Sequence, residues 1–299
     1  MVARVRSFNR AVTERVGALD EEYMGRGRPL GEARLLWEIG LEGAEVRELR
    51  RRLAIDSGYV SRLLRSLEAD GLVAVETDPT DRRVRRARLT RAGRDERAAL
   101  DRVADDRALS ILGPLDERQR TRLVRAMEEV ERLLLASSIT IEPEDPTTDD
   151  ARWCIEQYFA ELEQRFDGGF DPARSIPADP AELTPPSGLQ LVARRREQPL
   201  GCGALKLHGD EPAELKRMWV SPEARGLGLG RRLLRELEQR AADAGARAVR
   251  LETNGSLTEA IALYRASGYD EVAPFNDEPY AHHWFEKELA QHRPPPLGV

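Results

Sequence analysis

The sequence predicts two domains: a mostly helical N-terminal half that carries a helix–turn–helix with a β-hairpin, and a C-terminal α/β half. Three observations predict this. Apolar residues recur at helical spacing through residues 1–137, interrupted by one pair of short strand-like runs. From residue 138 onward, strand-like and helix-like runs alternate. Charge divides at the same place: residues 1–137 hold 28 Arg, no Lys and 25 acidic residues, a net of +3, whereas residues 138–299 carry a net of −9. With 299 residues in all, each half is long enough to bury its own core. The boundary is expected at 137/138, giving domains 1–137 and 138–299.

In the first half the spacing predicts helices over 2–22, 32–40, 46–53, 57–69 and 92–137. Asp56 is the expected N-cap of the fourth helix, and Gly71 its stop. Val60, Leu63, Leu64 and Leu67 share its inward face. The opposite face presents Ser57, Tyr59, Ser61, Arg62, Arg65 and Ser66. Short hydrogen-bonders and arginines suit phosphates and base edges in a major groove; taken alone, they equally suit an ordinary solvated face. Residues 72–77 and 85–90 then form two strands around the turn 78–83. Arg82, Arg83, Arg85, Arg86 and Arg88 fall within seven residues, so the hairpin is cationic. A helix–turn–helix followed by such a wing is a DNA-reading arrangement.

Glu68-Ala69-Asp70-Gly71-Leu72-Val73, Asp78-Pro79-Thr80-Asp81-Arg82-Arg83 and Leu89-Thr90-Arg91-Ala92-Gly93 resemble the MarR family of winged-helix regulators, over about residues 5–137. The resemblance implies that Ser57, Tyr59, Ser61, Arg62 and Arg65 meet the major groove of double-stranded DNA. Arg82, Arg83 and Arg85 would work in or beside the minor groove, with Asp81 orienting a wing arginine. It also implies a homodimer built from the first and last helices, here 2–22 and about 112–135. Leu123, Met127, Val130 and Leu134 make an apolar stripe there, for which packing within one chain is the alternative reading.

The second half opens with a strand at 139–141 and a helix over 150–165. A turn at 168–172 and a proline-rich loop at 177–187 come next, then an antiparallel pair, 189–194 with 201–207. After these stand a strand at 215–220, the run Arg225-Gly226-Leu227-Gly228-Leu229-Gly230, and a helix with Leu233, Leu234, Leu237 and Ala241 on one face. A strand at 248–253, a turn at 254–256, a helix from Thr258 to Gly268 and a last strand at 283–289 complete it.

Strand, glycine-rich turn and helix start together aim backbone N–H groups at an anion, here a cofactor diphosphate. A dinucleotide fingerprint counted from Gly226 needs glycine at position 231, where the chain has Arg231, and no Gly-Lys-Ser/Thr ends the run. The spacing left is Arg225-x-x-Gly228-x-Gly230; alone, it also suits a plain connector. With Leu251-Glu252-Thr253-Asn254 and Ala260-x-x-x-Tyr264-x-x-x-Gly268-Tyr269, it resembles the GNAT acetyltransferase superfamily over about residues 139–290.

That resemblance implies the GNAT fold, with a mixed, mainly antiparallel central sheet, and acetyl-CoA as co-substrate. The N–H groups of Leu227, Gly228, Leu229, Gly230, Arg231 and Arg232 would hold the diphosphate, assisted by the Arg225 and Arg231 side chains. Asn254 would contact the cofactor, and a backbone N–H near Met218 or Val220 would polarise the thioester carbonyl. Acyl transfer also needs a base for the amine and an acid for the thiolate. Glu214, at a strand start where many members place a carboxylate, is the candidate base through water, although a solvated glutamate reads the same way. Tyr264 is the candidate acid. Residues 150–187 and the loop near 275–280 would form the acceptor pocket.

Other classes are disfavoured. Cys154 and Cys202 have no metal-ligand spacing and only His282 and His283 are adjacent among four histidines, so no metal is expected. No apolar run approaches about 18 residues and the start lacks an apolar h-region, so no membrane span and a cytoplasmic location are expected. Asp167, Asp171, Asp277 and Glu278 favour a small cationic amine as acceptor. Three functions fit: a bifunctional transcriptional regulator and N-acetyltransferase; an acetyltransferase whose winged helix only dimerises; and a regulator whose second domain only senses acetyl-CoA.

Overall fold

The computed structural model describes residues 1–16, 25–53, 55–77 and 84–289. The chain groups into two compact units, 1–127 and 128–299. The first contains α1 (Val2–Arg15), α2 (Leu30–Ile39), β1 (Ala44–Glu45), α3 (Val46–Leu53), α4 (Ser57–Ala69), β2 (Val73–Thr77), β3 (Arg85–Leu89) and α5 (Arg91–Leu112). The next helix, α6 (Glu117–Ser137), crosses the division between the units.

Asp56 caps α4 by accepting the Tyr59 N–H at 2.9 Å. Gly71, at φ +71°, ends it: its N–H reaches the Glu68 carbonyl and the Leu72 N–H reaches that of Leu67, both at 2.9 Å. Val60, Leu63, Leu64 and Leu67 are buried against Leu35, Leu36 and Ile39 of α2 and Leu49 of α3. The hairpin pairs Val73 with Leu89 through Thr77 with Arg85, and the two-residue β1 adds a third strand, too short to leave a sequence pattern. Asp56→Ala is expected to cost about 1 kcal/mol of stability through loss of the cap, read from urea denaturation of the full chain; an unchanged midpoint would remove Asp56 as the determinant of where α4 begins.

The single helix expected over 92–137 is two. Pro114 has no N–H to donate and crowds the preceding turn. Asp116 then starts a new helix: its carboxylate accepts the Gln119 N–H at 2.8 Å, while Gln119 accepts the Asp116 N–H at 3.1 Å. Neither α1 nor α6 buries any residue. Val2, Val5, Phe8 and Val12 are exposed on α1, as are Met127 and Leu134 on α6, while Leu123 and Val130 of the same stripe are half-buried.

The second unit contains β4 (Ile139–Glu144), α7 (Asp149–Arg165), β5 (Gly188–Arg195), β6 (Gln198–Lys206), β7 (Ala213–Val220), α8 (Leu229–Asp243), β8 (Ala248–Thr253), α9 (Thr258–Ala266), β9 (Asp270–Val272) and β10 (His283–Glu288). Seven strands form one sheet in the order β4-β5-β6-β7-β8-β10-β9. Every described pairing is antiparallel except that of β7 with β8. On one face Leu233, Leu234, Leu237 and Ala241 of α8 pack with Leu191, Leu205 and Phe285 of the sheet. On the other, Ala151 and Cys154 of α7 meet Val192, Cys202 and Trp219. The strand alternation Leu191/Val192 divides the two cores.

Two irregularities of β7 open the middle of the sheet. Its parallel pairing with β8 covers only Ala213 with Val249 and Glu214 with Arg250, after which the strands part. Its pairing with β6 passes from Ala204–Lys216 to Cys202–Trp219, leaving Arg217 and Met218 bulged out of register. Among the described residues, no helix is long and apolar enough to cross a membrane.

Candidate functional site

The glycine-rich turn joins β7 to α8. Gly228 is the N-cap of α8 and adopts the left-handed conformation at φ +74°, which a side chain would strain. Gly230 lies in the first helical turn, where an added Cβ would stand 3.3 Å from Leu263 of α9 and 3.8 Å from Val220. These two glycines bring the open end of α8 close to β7 and α9. The first N–H groups of a helix have no acceptor inside it, and the helix dipole favours an anion there. Beside the turn lies a groove of about 550 Å³, whose walls include Val220, Arg225, Gly228, Leu229, Gly230 and Arg231.

Two expected groups do not face this groove. Leu227 is absent from the groove's walls, and its side chain is partly buried against the sheet core. The Arg232 N–H already donates to the Gly228 carbonyl at 3.1 Å. Its guanidinium instead holds the Ala136 and Ile139 carbonyls at 2.6 and 2.8 Å, tying the end of α6 to the start of β4. Arg225 lines the groove with its charge engaged: Nε donates to the Val220 carbonyl at 3.1 Å and Nη2 meets Glu161 of α7 at 2.5 Å. Glu161 also accepts the Trp219 indole N–H at 2.9 Å.

A second cavity, of about 240 Å³, opens where β7 and β8 part. Tyr158, Leu162, Met218, Leu257 and Ala260 line both spaces, so the two meet around them. Tyr264 lines the smaller cavity, is almost completely buried, and its hydroxyl makes no hydrogen bond among the described residues. Burial, and then the charge of Glu252, push its pKa above the usual tyrosine value. Asn254 lines this cavity rather than the groove. Its side chain is bonded at both ends, Nδ2 to the Tyr280 carbonyl at 2.7 Å and Oδ1 to the Ser256 N–H at 2.9 Å, so it braces a loop.

Glu214 is misplaced for a base. It is absent from the walls of both spaces. One oxygen accepts Arg250 at 2.8 Å and the other lies 3.4 Å from Lys216. Burial works to raise its pKa, but Lys216, Arg250 and His208 together outweigh that and hold it below the usual carboxylate value. That direction is wrong for a group that must take a proton near neutral pH. The carboxylate sharing the cavity with Tyr264 is Glu252, whose Oε1 accepts Lys216 at 2.5 Å. The signal for it was the alternation of β8: Val249 and Leu251 are core, so Glu252 and Asn254 share the opposite side. Glu278 also lines the cavity, but its oxygens accept Ser175 Oγ and the N–H groups of Ile176 and Tyr280.

In the first unit, Ser57, Arg62 and Arg65 are exposed on α4, and Arg85 is exposed on β3. Ser61 is half-buried, and its carbonyl accepts Arg65 Nε at 3.2 Å. Tyr59 departs from the expectation: it packs partly against the core, its hydroxyl abutting Gly31. Its ring supports the Arg62 guanidinium, 5.5 Å from the ring centre. Ser66 faces inward and bonds Glu32 at 2.7 Å. Asp81, Arg82 and Arg83 lie outside the described residues.

Residues 151–269 match the model of the acetyltransferase (GNAT) family, and residues 26–84 that of the MarR family. The IAA acetyltransferase of Azospirillum brasilense is 39% identical over 140 residues, covering 46% of this chain and 88% of that protein. An uncharacterized N-acetyltransferase of Schizosaccharomyces pombe is 33% identical over 134 residues, covering 44% of this chain and 81% of that protein. Among solved structures, FabT of Streptococcus pneumoniae in complex with DNA is 18% identical with a TM-score of 0.38, over 45% of this chain and 97% of that one.

Proposed function

Because the chain belongs to the GNAT acetyltransferase family through its second half and carries a MarR family domain ahead of it, we propose that it is both a DNA-binding regulator and an acetyl-CoA-dependent N-acetyltransferase acting on a small amine. The observation that carries the enzymatic half is the meeting of an anion-binding groove with a cavity holding Tyr264 and Glu252. The groove suits the co-substrate: its volume falls within the roughly 300–1,000 Å³ of ligand sites, and it combines the amides at the start of α8 with Arg231 and apolar Leu229 and Leu263. When bound, acetyl-CoA supplies the acetyl group as a thioester.

The chain's own residues then have these roles. Arg231 and the first amides of α8 hold the diphosphate, with Arg225 added once it leaves Glu161. Met218, bulged from β7 where the two spaces meet, offers its N–H to the carbonyl. Glu252 takes a proton from the acceptor nitrogen, and Tyr264 Oη gives one to the departing sulfur. Return of the Glu252 proton to Tyr264 restores both. Burial keeps Tyr264 protonated beyond the usual tyrosine range, so its ionisation adds no alkaline limb to kcat below about pH 10. Tyr264→Phe is expected to lower kcat about 10²-fold, read from CoA release with an amine panel; a rate within about twofold of the parent would remove Tyr264 as the acid.

The regulatory half is supported by Arg62 and Arg65 standing exposed on a capped helix beside the hairpin. The exposed apolar residues of α1 and α6 suit a homodimer. Analytical ultracentrifugation across a dilution series tests this; a monomer at every concentration would remove it.

A further inference from the structure

The smaller cavity contains a cation with no anion bound to it. Arg217 lines the cavity, and its guanidinium lies 5.7 Å from the ring centre of Phe159. Among the described residues, no ion pair or hydrogen bond engages that guanidinium. Asp179 and Glu182 attract it only from beyond ion-pair distance. The other cation in the wall, Lys216, is bound to Glu252 and lies 3.4 Å from Glu214. Burial pushes the Arg217 pKa below its ordinary value, yet an arginine remains charged in proteins. Arg217 is half-buried, and a partly desolvated, unpaired charge carries a cost that is relieved when a ligand brings the opposite charge.

Its backbone is also unusual. Arg217 sits in the β7 bulge at φ +55°, in the left-handed region that a non-glycine residue occupies only when its surroundings hold it there. Strain of this kind concentrates at ligand sites. The bulge places Arg217 in the cavity wall.

Part of the wall is aromatic; aliphatic and polar residues and the carboxylates of Asp179, Glu252 and Glu278 make up the remainder. Phe159 and Phe170 lie 5.3 Å apart, Phe170 and Tyr280 4.9 Å, and Phe166 packs on both Phe170 and Tyr280 at 5.7 Å. Rings in such a cluster offer faces and edges to another ring. A volume of about 240 Å³ lies below the usual range for drug-sized ligands, so the occupant is small.

We propose that the acceptor is an aromatic α-amino acid, its carboxylate held by Arg217, its ring by the Phe159–Phe170–Tyr280 cluster, and its amino group facing Glu252 and Tyr264. This rests on the acetyltransferase reading of the same cavity. It narrows the expectation of a small cationic amine to one that also carries a carboxylate; of the acidic residues behind that expectation, Glu278 is spent on Ser175, Ile176 and Tyr280. In the reaction the amino nitrogen bonds to the acetyl carbonyl carbon as the carbon–sulfur bond breaks. The ammonium first releases one proton to solvent; the neutral nitrogen then loses its second proton to Glu252 as the sulfur gains one from Tyr264, giving the N-acetyl amino acid and free CoA.

The test is calorimetric titration of the full chain, saturated with CoA, alongside CoA release. L-phenylalanine is expected to bind, with 2-phenylethylamine and L-alanine each at least about tenfold weaker. Arg217→Met is expected to weaken L-phenylalanine binding about tenfold or more, and Arg217→Lys to restore part of it; the unfolding midpoint of each variant reports that the fold is kept. Equal binding of 2-phenylethylamine, no effect of Arg217→Met, or no binding of L-phenylalanine would overturn the assignment. Arg217-dependent binding without CoA release on acetyl-CoA would support the amino-acid site and sink the enzymatic reading.

Discussion

Glu252→Gln is expected to lower kcat by about 10²- to 10⁴-fold at neutral pH, while Glu214→Gln leaves kcat within about threefold and costs stability instead. The contrast comes from where each carboxylate stands. Glu252 lines the cavity that holds Tyr264, and its charge is felt at the tyrosine hydroxyl. Glu214 lies outside both spaces and pairs with Arg250 and with Lys216, the lysine that also binds Glu252. Its folded pKa is depressed, so its ion pairs stabilise the fold above the unfolded carboxylate value of about 4.3. That contribution is lost as pH falls through the folded value. Glutamine keeps the shape but not the charge, so Glu214→Gln should lower the unfolding midpoint at pH 7 and differ little from the parent in strong acid. Steady-state kinetics and urea denaturation on both variants decide this. A rate collapse in Glu214→Gln with an intact Glu252→Gln enzyme would return the base to Glu214.

The paired substitution Arg62→Ala and Arg65→Ala is expected to weaken binding to the chain's own upstream DNA by about 10²-fold or more, since each arginine contact to a base edge is worth about 1–3 kcal/mol. Both side chains are exposed on α4, and each is steadied before DNA arrives, Arg62 over the Tyr59 ring and Arg65 on the Ser61 carbonyl. Fluorescence anisotropy across a salt series separates their roles. Each lost phosphate contact reduces the salt slope by about one unit, whereas a lost base contact relaxes sequence preference at similar slope. Unchanged affinity and slope would leave only the dimerisation reading for this domain. Tyr59→Leu should reproduce part of the loss, because it removes the shelf under Arg62 without touching a cation.

Much of this molecule was legible in one dimension because its local signals agree. Asp56 before an apolar stripe and Gly71 after it bound α4 to the residue. Gly228 marks a strand-to-helix turn through its left-handed backbone, and Gly230 through its close approach to Leu263. The break at Pro114 was also written locally and was overridden by the continuing apolar pattern on both sides. Glu214 is ambiguous in sequence for a different reason: a strand-start carboxylate looks the same whether it faces a cavity or two cations. Asn254 likewise carries the expected residue type at the expected spacing, yet its amide is committed to Tyr280 and Ser256, and the Arg232 N–H is committed to the Gly228 carbonyl.

The two-domain plan, the winged hairpin and the glycine turn follow from the sequence alone, because caps, strand alternation and left-handed glycines act over a few residues; Tyr264 entered as the candidate acid through the family resemblance. Only the tertiary structure decided which charges are free. Whether a carboxylate or a guanidinium is paired depends on residues such as Arg250 against Glu214, or Glu161 against Arg225, brought together from different elements. Arg217 shows the same physics in the opposite sense, as a bulge in β7 holds its charge beside aromatic rings and out of ion-pair reach of every described carboxylate.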